Sequence, residues 1–326
     1  MHADQRFATI DALRGLAAIG VMLFHVRQDI AFQVPAGYLA VDLFFGLSGF
    51  VIARAYETRL REGLGFREFI DRRVIRLWPM LALGALLGMV LHGGHAGMLF
   101  LLPNWLSEGL LFPANPPLWS LLFEMVAYAA FALILYRLGT ATLAVIAAIA
   151  ALVLGAFALS PMRFADLGAD WASFGAGFAR VGYGFIAGML VHRLTTLGLS
   201  SRMSTLGWAL AVPLSLAFLL IGEADNLAAL VAVILGVPAL VWAASRIEVP
   251  QRRIAAFLGD CSYPLYCIHV PLLALMAGSS DAAVLAACAA LVAASVCLER
   301  LADRPLRNWL EAMRKRGRAK VRPASA

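Results

Sequence analysis

Stretches of about twenty apolar residues recur along this chain, and a run of that length is what a helix needs to cross roughly 30 Å of hydrocarbon. They fall near residues 9–27, 38–56, 77–93, 117–137, 140–160, 172–192, 203–221, 227–245, 256–277 and 281–301. With 62% hydrophobic and 14% charged residues among 326, and a mean hydropathy of +0.81, the chain is more apolar than a soluble core of its size requires. The expected fold is all-α: a polytopic integral membrane protein of about ten transmembrane helices. The first run has no small-residue cleavage site behind it, so it reads as a retained helix rather than a signal peptide. The stretch 96–113 is also apolar, but it is short and broken by Pro103, Asn104, Ser107 and Glu108. It reads as an interfacial or re-entrant segment, and counting it as a span would invert everything after it.

Loop charge gives an independent test of the count, because cytoplasmic loops carry the excess of Arg and Lys. Arg54, Arg59, Arg61, Arg67, Arg72, Arg73 and Arg76, then Arg137, then Arg193 and Arg202, then Arg246, Arg252 and Arg253, and finally the tail from Arg304 to Arg322 all fall on one side under ten spans. The other side holds Arg27 and Arg163 among Asp29, Glu108, Asp166, Asp170, Glu223, Asp225 and Asp281. Both termini are therefore expected in the cytoplasm. The net charge of +7 is accounted for by this anchoring and is not read as affinity for nucleic acid. Residues 1–303 form the membrane domain, and 304–326 a basic cytoplasmic tail suited to the membrane surface. No internal repeat is visible, which weighs against a transporter made of inverted halves. Cys261, Cys267, Cys288 and Cys297 lack metal-ligand or disulfide spacing and read as small buried apolar residues.

Within this apolar frame the ionisable residues stand out, since a charge at membrane depth is costly and usually serves an interior site. Arg14 and His25 lie on the first helix with ten residues between them. Eleven steps of about 100° return His25 to within roughly 20° of Arg14, about 16 Å further along the axis. The two share a face, with Asp11 one turn before Arg14 and Ala17 and Ala18 leaving room between. In the second segment Asp42 enters at the depth of His25 and is one candidate to hold its tautomer while the imidazole takes a proton from a hydroxyl. Ser48 sits between Gly46 and Gly49, but Phe50 occupies the last position of a Gly-x-Ser-x-Gly elbow and the context is helical, so no nucleophile is assigned. Those glycines instead permit close helix packing.

The third segment opens with Arg73 and Arg76 one turn apart and with Pro79 placed to suit the start of a helix. Two guanidiniums on one face can clamp phosphates, and ordinary cytoplasmic anchoring is the competing explanation. In the fourth segment Ser120, Glu124 and Tyr128 form a stripe. Glu124 needs a partner, as does Arg180 beside Tyr183 in the sixth segment, and the two could pair. The ninth segment sets Ser262, Tyr266 and His269 on one face, interrupted by Pro264 and Pro271. For His269 the choice lies between ligand or proton carrier and a packed, hydrogen-bonded core histidine. His92 and His95 flank two glycines without a third ligand, so no metal is expected.

Taken in order, IDALRGLAAIGVMLFH, VDLFFGLSGFVIA, RRVIRLWP, LWSLLFEMVAY and YPLYCIHVPL resemble acyltransferase family 3, over Phe7 to about Pro305. Members of that family are bacterial integral membrane enzymes that O-acylate, most often O-acetylate, cell-surface and exported carbohydrates. The resemblance implies a catalytic role for His25, a paired role for Arg14, and acyl-CoA binding by Arg73 and Arg76. Asp42, Ser48 and Glu124 fall at motif positions. The motif at Glu124 reads SLLFEM, without the second acidic residue of many members, and the esterase-like domain of some relatives is not appended, so handover to such a domain would require a separate protein.

The resulting expectation is a bacterial inner-membrane O-acyltransferase that uses acetyl-CoA as donor and acts on a carbohydrate or glycolipid. Arg73, Arg76 and Arg14 would bind the donor, His25, Arg14, Asp42 and Glu124 would form the catalytic set, and Ser120, Arg180, Tyr266 and His269 would meet substrate. Either direct transfer or a transient acyl intermediate fits the sequence. The alternatives are a glycolipid or polysaccharide flippase, and O-acylation of a small hydroxylated metabolite such as a macrolide.

Overall fold

The structure, a computed structural model, describes residues 8–26, 30–196, 225–246 and 249–321. These residues fold into helices: α1 (Ala8–Phe24), α2 (Leu39–Arg61), α3 (Phe66–His92), α4 (Leu118–Leu133), α5 (Thr140–Ala158), α6 (Phe174–Thr196), α7 (Asn226–Arg246), α8 (Arg252–Leu273), α9 (Asp281–Leu298) and α10 (Arg304–Val321). The expected all-α class holds. Among the described residues the only extended pairing is a single bridge between Leu110 and Asp170. Six helical stretches are long and apolar enough to cross a membrane: α2, α3, α5, α6, α7 and the continuous stretch Asp281–Gly317. The lipid-exposed character is plainest in α5, where Leu152 is 75% exposed with no polar face to accompany it. The seventh apolar segment, 203–221, lies outside the described residues.

Several boundaries differ from the sequence reading. Helix α3 begins at Phe66, so Pro79 is internal to it rather than near its start. The arginine-rich turns before the apolar run continue the helix into the aqueous layer, where charge costs nothing. At its other end Gly93 adopts a left-handed φ of 74° and its N–H caps the Met89 carbonyl. The interrupted stretch 96–113 contains only a five-residue 3₁₀ turn, Ala96–Phe100, and no spanning helix. Helix α9 does not end where the apolar run ends: a π turn at Glu299–Asp303 carries it into α10, so the start of the basic tail is helical. Of the four cysteines three are buried, whereas Cys297 is exposed.

Small residues set how closely the helices approach. A Cβ on Gly15 would lie 2.4 Å from the Leu258 carbonyl oxygen, and one on Gly49 would lie 1.9 Å from that of Phe185. Thus α1 rests backbone to backbone on α8, and α2 on α6, as expected for the Gly46 and Gly49 pair. Register follows from these contacts. Asp11 faces Gly259 and His25 faces His269, so α1 and α8 run parallel. In α2 and α6, Asp42 faces Arg180 and Glu57 faces Arg193, so these two are parallel as well.

Helix α8 carries two internal prolines, Pro264 and Pro271. Proline has no N–H, so Pro271 leaves the Cys267 carbonyl without its helical donor. Asn115 supplies one, its Nδ2 lying 2.9 Å from the Cys267 oxygen and 3.1 Å from that of Gly84. One buried amide thereby joins the loop before α4 to both α3 and α8.

Candidate active site

A cavity opens between α1, α2, α3, α4 and α8. Arg14, Arg73 and Arg76 line it together, along with Ser48, Ser120, Glu124, Tyr128, Ser262, Tyr263 and Tyr266. Residues separated by as much as 252 positions, Arg14 to Tyr266, thus converge on one space. The convergence follows from the packing just described, since α8 is held against α1 by Gly15 and against α3 by Asn115.

The arginine end is built on aromatic faces. Arg73 donates to the Tyr56 hydroxyl at 2.8 Å and lies 4.9 Å from the centre of that ring. Arg76 lies 5.3 Å from the Tyr263 ring centre and 3.6 Å from the buried Asp303 carboxylate. Rings hold both guanidiniums by cation–π attraction; they leave the charge of Arg73 standing on the cavity wall, while Asp303 offsets that of Arg76. Arg14 makes no hydrogen bond or ion pair with another described residue. The Asp303 contact was not foreseen, because the sequence reading cuts the membrane domain at that residue.

Glu124 and Arg180 do not pair. Glu124 Oε1 accepts from the Ser48 hydroxyl at 2.7 Å and from the Tyr128 hydroxyl at 2.5 Å. Arg180 instead grips Asp42 with two parallel bonds of 2.8 Å, both residues being 0% exposed. Its remaining donors reach the carbonyls of Phe164 and Leu167 at 3.2 and 3.1 Å, and its plane lies over Trp119 and Phe164. Asp42 is therefore occupied by Arg180 and does not hold His25, contrary to the sequence reading. Equal depth fixes height along the bilayer normal but not direction around a helix. The pair is a closed polar knot, and Arg180 does not line the cavity.

Tyr266 lines the cavity, its hydroxyl 2.6 Å from the Ser120 hydroxyl and its ring edge-on to Phe44. One helical turn beyond Tyr266 comes His269, and its Nε2 lies 3.2 Å from His25 Nδ1. His25 is half-buried and His269 fully buried. Neither lines the cavity, so the two histidines sit beyond Tyr266, while Arg14 of the same α1 face lies within it. The shared face of Arg14 and His25 connects the two places. Among the described residues no group of three His, Cys, Asp or Glu side chains is arranged to hold a metal ion. His92 Nε2 lies 2.8 Å from the Pro271 carbonyl instead.

Asn115 and Tyr263 were missed by the sequence reading. Pro271 was the available signal for Asn115, because an internal proline requires an outside donor for the carbonyl four residues back. Tyr263, within the YPLY motif, had only its spacing from Tyr266 to mark it.

Comparison with known proteins accords with this arrangement. A family model described as an acyltransferase domain matches residues 7–300. Protein 2 in the picA locus of Rhizobium radiobacter is 35% identical, the match spanning 39% of this chain and 82% of that protein. The exopolysaccharide production protein ExoZ of Rhizobium meliloti is 31% identical over 34% of this chain and 38% of its own. The peptidoglycan O-acetyltransferase OatA of Listeria monocytogenes is 30% identical over 37% of this chain and 22% of its own. No solved structure matches the chain. A family match over nearly its whole length, on a multi-pass helical frame whose arginine-lined cavity ends beside two histidines, identifies the chain as a membrane enzyme of acyltransferase family 3.

Proposed function

We propose that this enzyme takes an acetyl group from cytoplasmic acetyl-CoA and transfers it to a hydroxyl of a cell-surface or exported carbohydrate. The observation that carries the proposal is the cavity lined together by Arg14, Arg73 and Arg76. Three guanidiniums converging on one space suit the phosphates of a nucleotide thioester. The acceptor class rests on relatives named for peptidoglycan O-acetylation and exopolysaccharide production.

In this reading Arg73 and Arg76 hold the donor phosphates, and the arm runs past Arg14 toward Tyr266 and Ser120. Glu124, fixed by Ser48 and Tyr128, offers a polar anchor along the arm rather than a base. His25 accepts the proton of the acceptor hydroxyl as its oxygen attacks the thioester carbonyl. The C–S bond breaks, and the departing thiolate of coenzyme A takes up the proton. The ten-span topology with both termini in the cytoplasm, in a bacterial inner membrane, belongs to the same proposal. It is supported by the parallel packing of α1 with α8 and of α2 with α6, which ten spans require.

The test is turnover of acetyl-CoA by the purified protein with membrane glycans present. Wild type is expected to release coenzyme A and acetylate the glycan, and His25→Ala to do neither while inserting and expressing normally. A protein that moves glycolipid across vesicles without consuming acetyl-CoA would be a flippase, and the proposal would fail.

A further inference from the structure

We infer that His269 is the positioning residue for His25, fixing which of its two ring nitrogens is left to take a proton; the inference rests on His25 being the base. His269 Nδ1 lies 2.9 Å from the Leu265 carbonyl and 3.0 Å from that of Tyr266. A carbonyl oxygen only accepts, so Nδ1 must carry the hydrogen, and in the neutral ring Nε2 is then the bare acceptor. His25 Nδ1 lies 2.8 Å from the Val21 carbonyl and 3.2 Å from that acceptor. Its hydrogen is shared between the two. Every contact in the chain therefore agrees on one tautomer, and it leaves His25 Nε2 with its lone pair free.

A catalytic histidine is commonly oriented by a carboxylate. Here the candidate for that task, Asp42, is bound on both oxygens by Arg180, and among the described residues no carboxylate bonds to either ring. A second imidazole takes the place. When His25 Nε2 accepts the proton of the acceptor hydroxyl, the positive charge on its ring is met by the His269 Nε2 lone pair along an existing hydrogen bond. The proton on Nε2 passes to the coenzyme A thiolate as it leaves, and both rings return to their starting tautomers. His269 touches neither donor nor acceptor in this scheme. It is held by its own helix, two of whose carbonyls bind its Nδ1, and α8 is in turn fixed to α1 at Gly15.

The scheme is tested on the full chain in nanodiscs containing native membrane glycans, with acetyl-CoA as the varied substrate. The amide oxygen of Gln can stand near the Nε2 position and accept from His25, whereas Leu cannot. His269→Leu is expected to lower kcat about 100-fold, within the range a positioned base contributes, with KM for acetyl-CoA unchanged. His269→Gln is expected to recover most of that loss. In ¹⁵N spectra of the wild type with selectively labelled His, the proton of His25 is expected on Nδ1. Equal activity of His269→Leu and wild type, equal losses in Leu and Gln, or an Nε2–H tautomer of His25 would each overturn the inference. The ¹⁵N spectrum decides the matter even if His269→Leu fails to fold. An inactive His25→Ala beside a fully active His269→Leu would reject the positioning role alone, and an active His25→Ala would reject the proposed function itself.

Discussion

Asp42 and Arg180 form an ion pair with both partners fully buried, and its energetics differ from those of the cavity arginines. A buried pair gains little over an apolar replacement of both partners, but removing one partner strands a charge at a cost of about 3–5 kcal/mol. We expect Arg180→Met or Asp42→Leu alone to lower the thermal stability of the detergent-solubilised protein severely, and the double variant to recover much of it. A non-additive cycle of this kind would separate the knot from the chemistry. Arg73 should behave differently, because its loss exposes no buried countercharge. A charge-assisted contact is worth about 1.5–3 kcal/mol, so Arg73→Ala should weaken acetyl-CoA binding about ten- to hundredfold. Titration with acetyl-CoA and its dephospho analogue checks this, and unchanged affinity for both would make Arg73 a topological anchor. At this scale the sequence marked which membrane-depth residues need partners but not which partners they find. Glu124 and Arg180 both need company at membrane depth, yet which neighbour each finds depends on helix rotation, which no spacing within a single helix encodes.

At the scale of the element, α8 is the organising helix. It contributes Ser262, Tyr263 and Tyr266 to the cavity and His269 beyond it, and its position depends on two close contacts. Gly15 admits it to α1, so Gly15→Val should push the two helices apart and part His25 from His269. The expected result is loss of turnover together with destabilisation of about 1–3 kcal/mol from overpacking, measured by activity and thermal unfolding in the same sample. Asn115→Leu should cost a similar amount, because the Cys267 carbonyl, opposite Pro271, would lose its donor in a dry interior. Most helices were legible in the sequence, because hydrocarbon length and hydrophobicity mark them directly. Their ends were less so: α3 starts well before its apolar stretch, and α9 passes through a π turn into α10, where Leu306, Trp309, Leu310 and Met313 recur at helical spacing but span too little to read as a membrane helix.

For the whole molecule the separation of charge and histidine matters most. The arginines gather at the cavity, the histidine pair stands beyond Tyr266, and α1 runs from one to the other. Parallel packing within the set α1, α3 and α8, and again within α2, α4 and α6, is what alternating spans would give. Thiol reporters placed near Arg61 and near His95 should therefore label from opposite faces of sealed vesicles, and labelling from one face would break the ten-span topology. In the sequence, loop charge is what argues for this topology. The distance between the cavity and His25 was not legible there, since it depends on Tyr266 and Ser120 meeting across two helices. If donor and acceptor are served from opposite sides, transfer must be vectorial. The most direct measurement supplies radiolabelled acetyl-CoA to the cytoplasmic face of sealed inverted vesicles and follows label into glycan protected within the lumen. The account predicts protected, acetylated glycan with wild type and none with His25→Ala. Label confined to the face of addition, or equal incorporation by the two proteins, would contradict it.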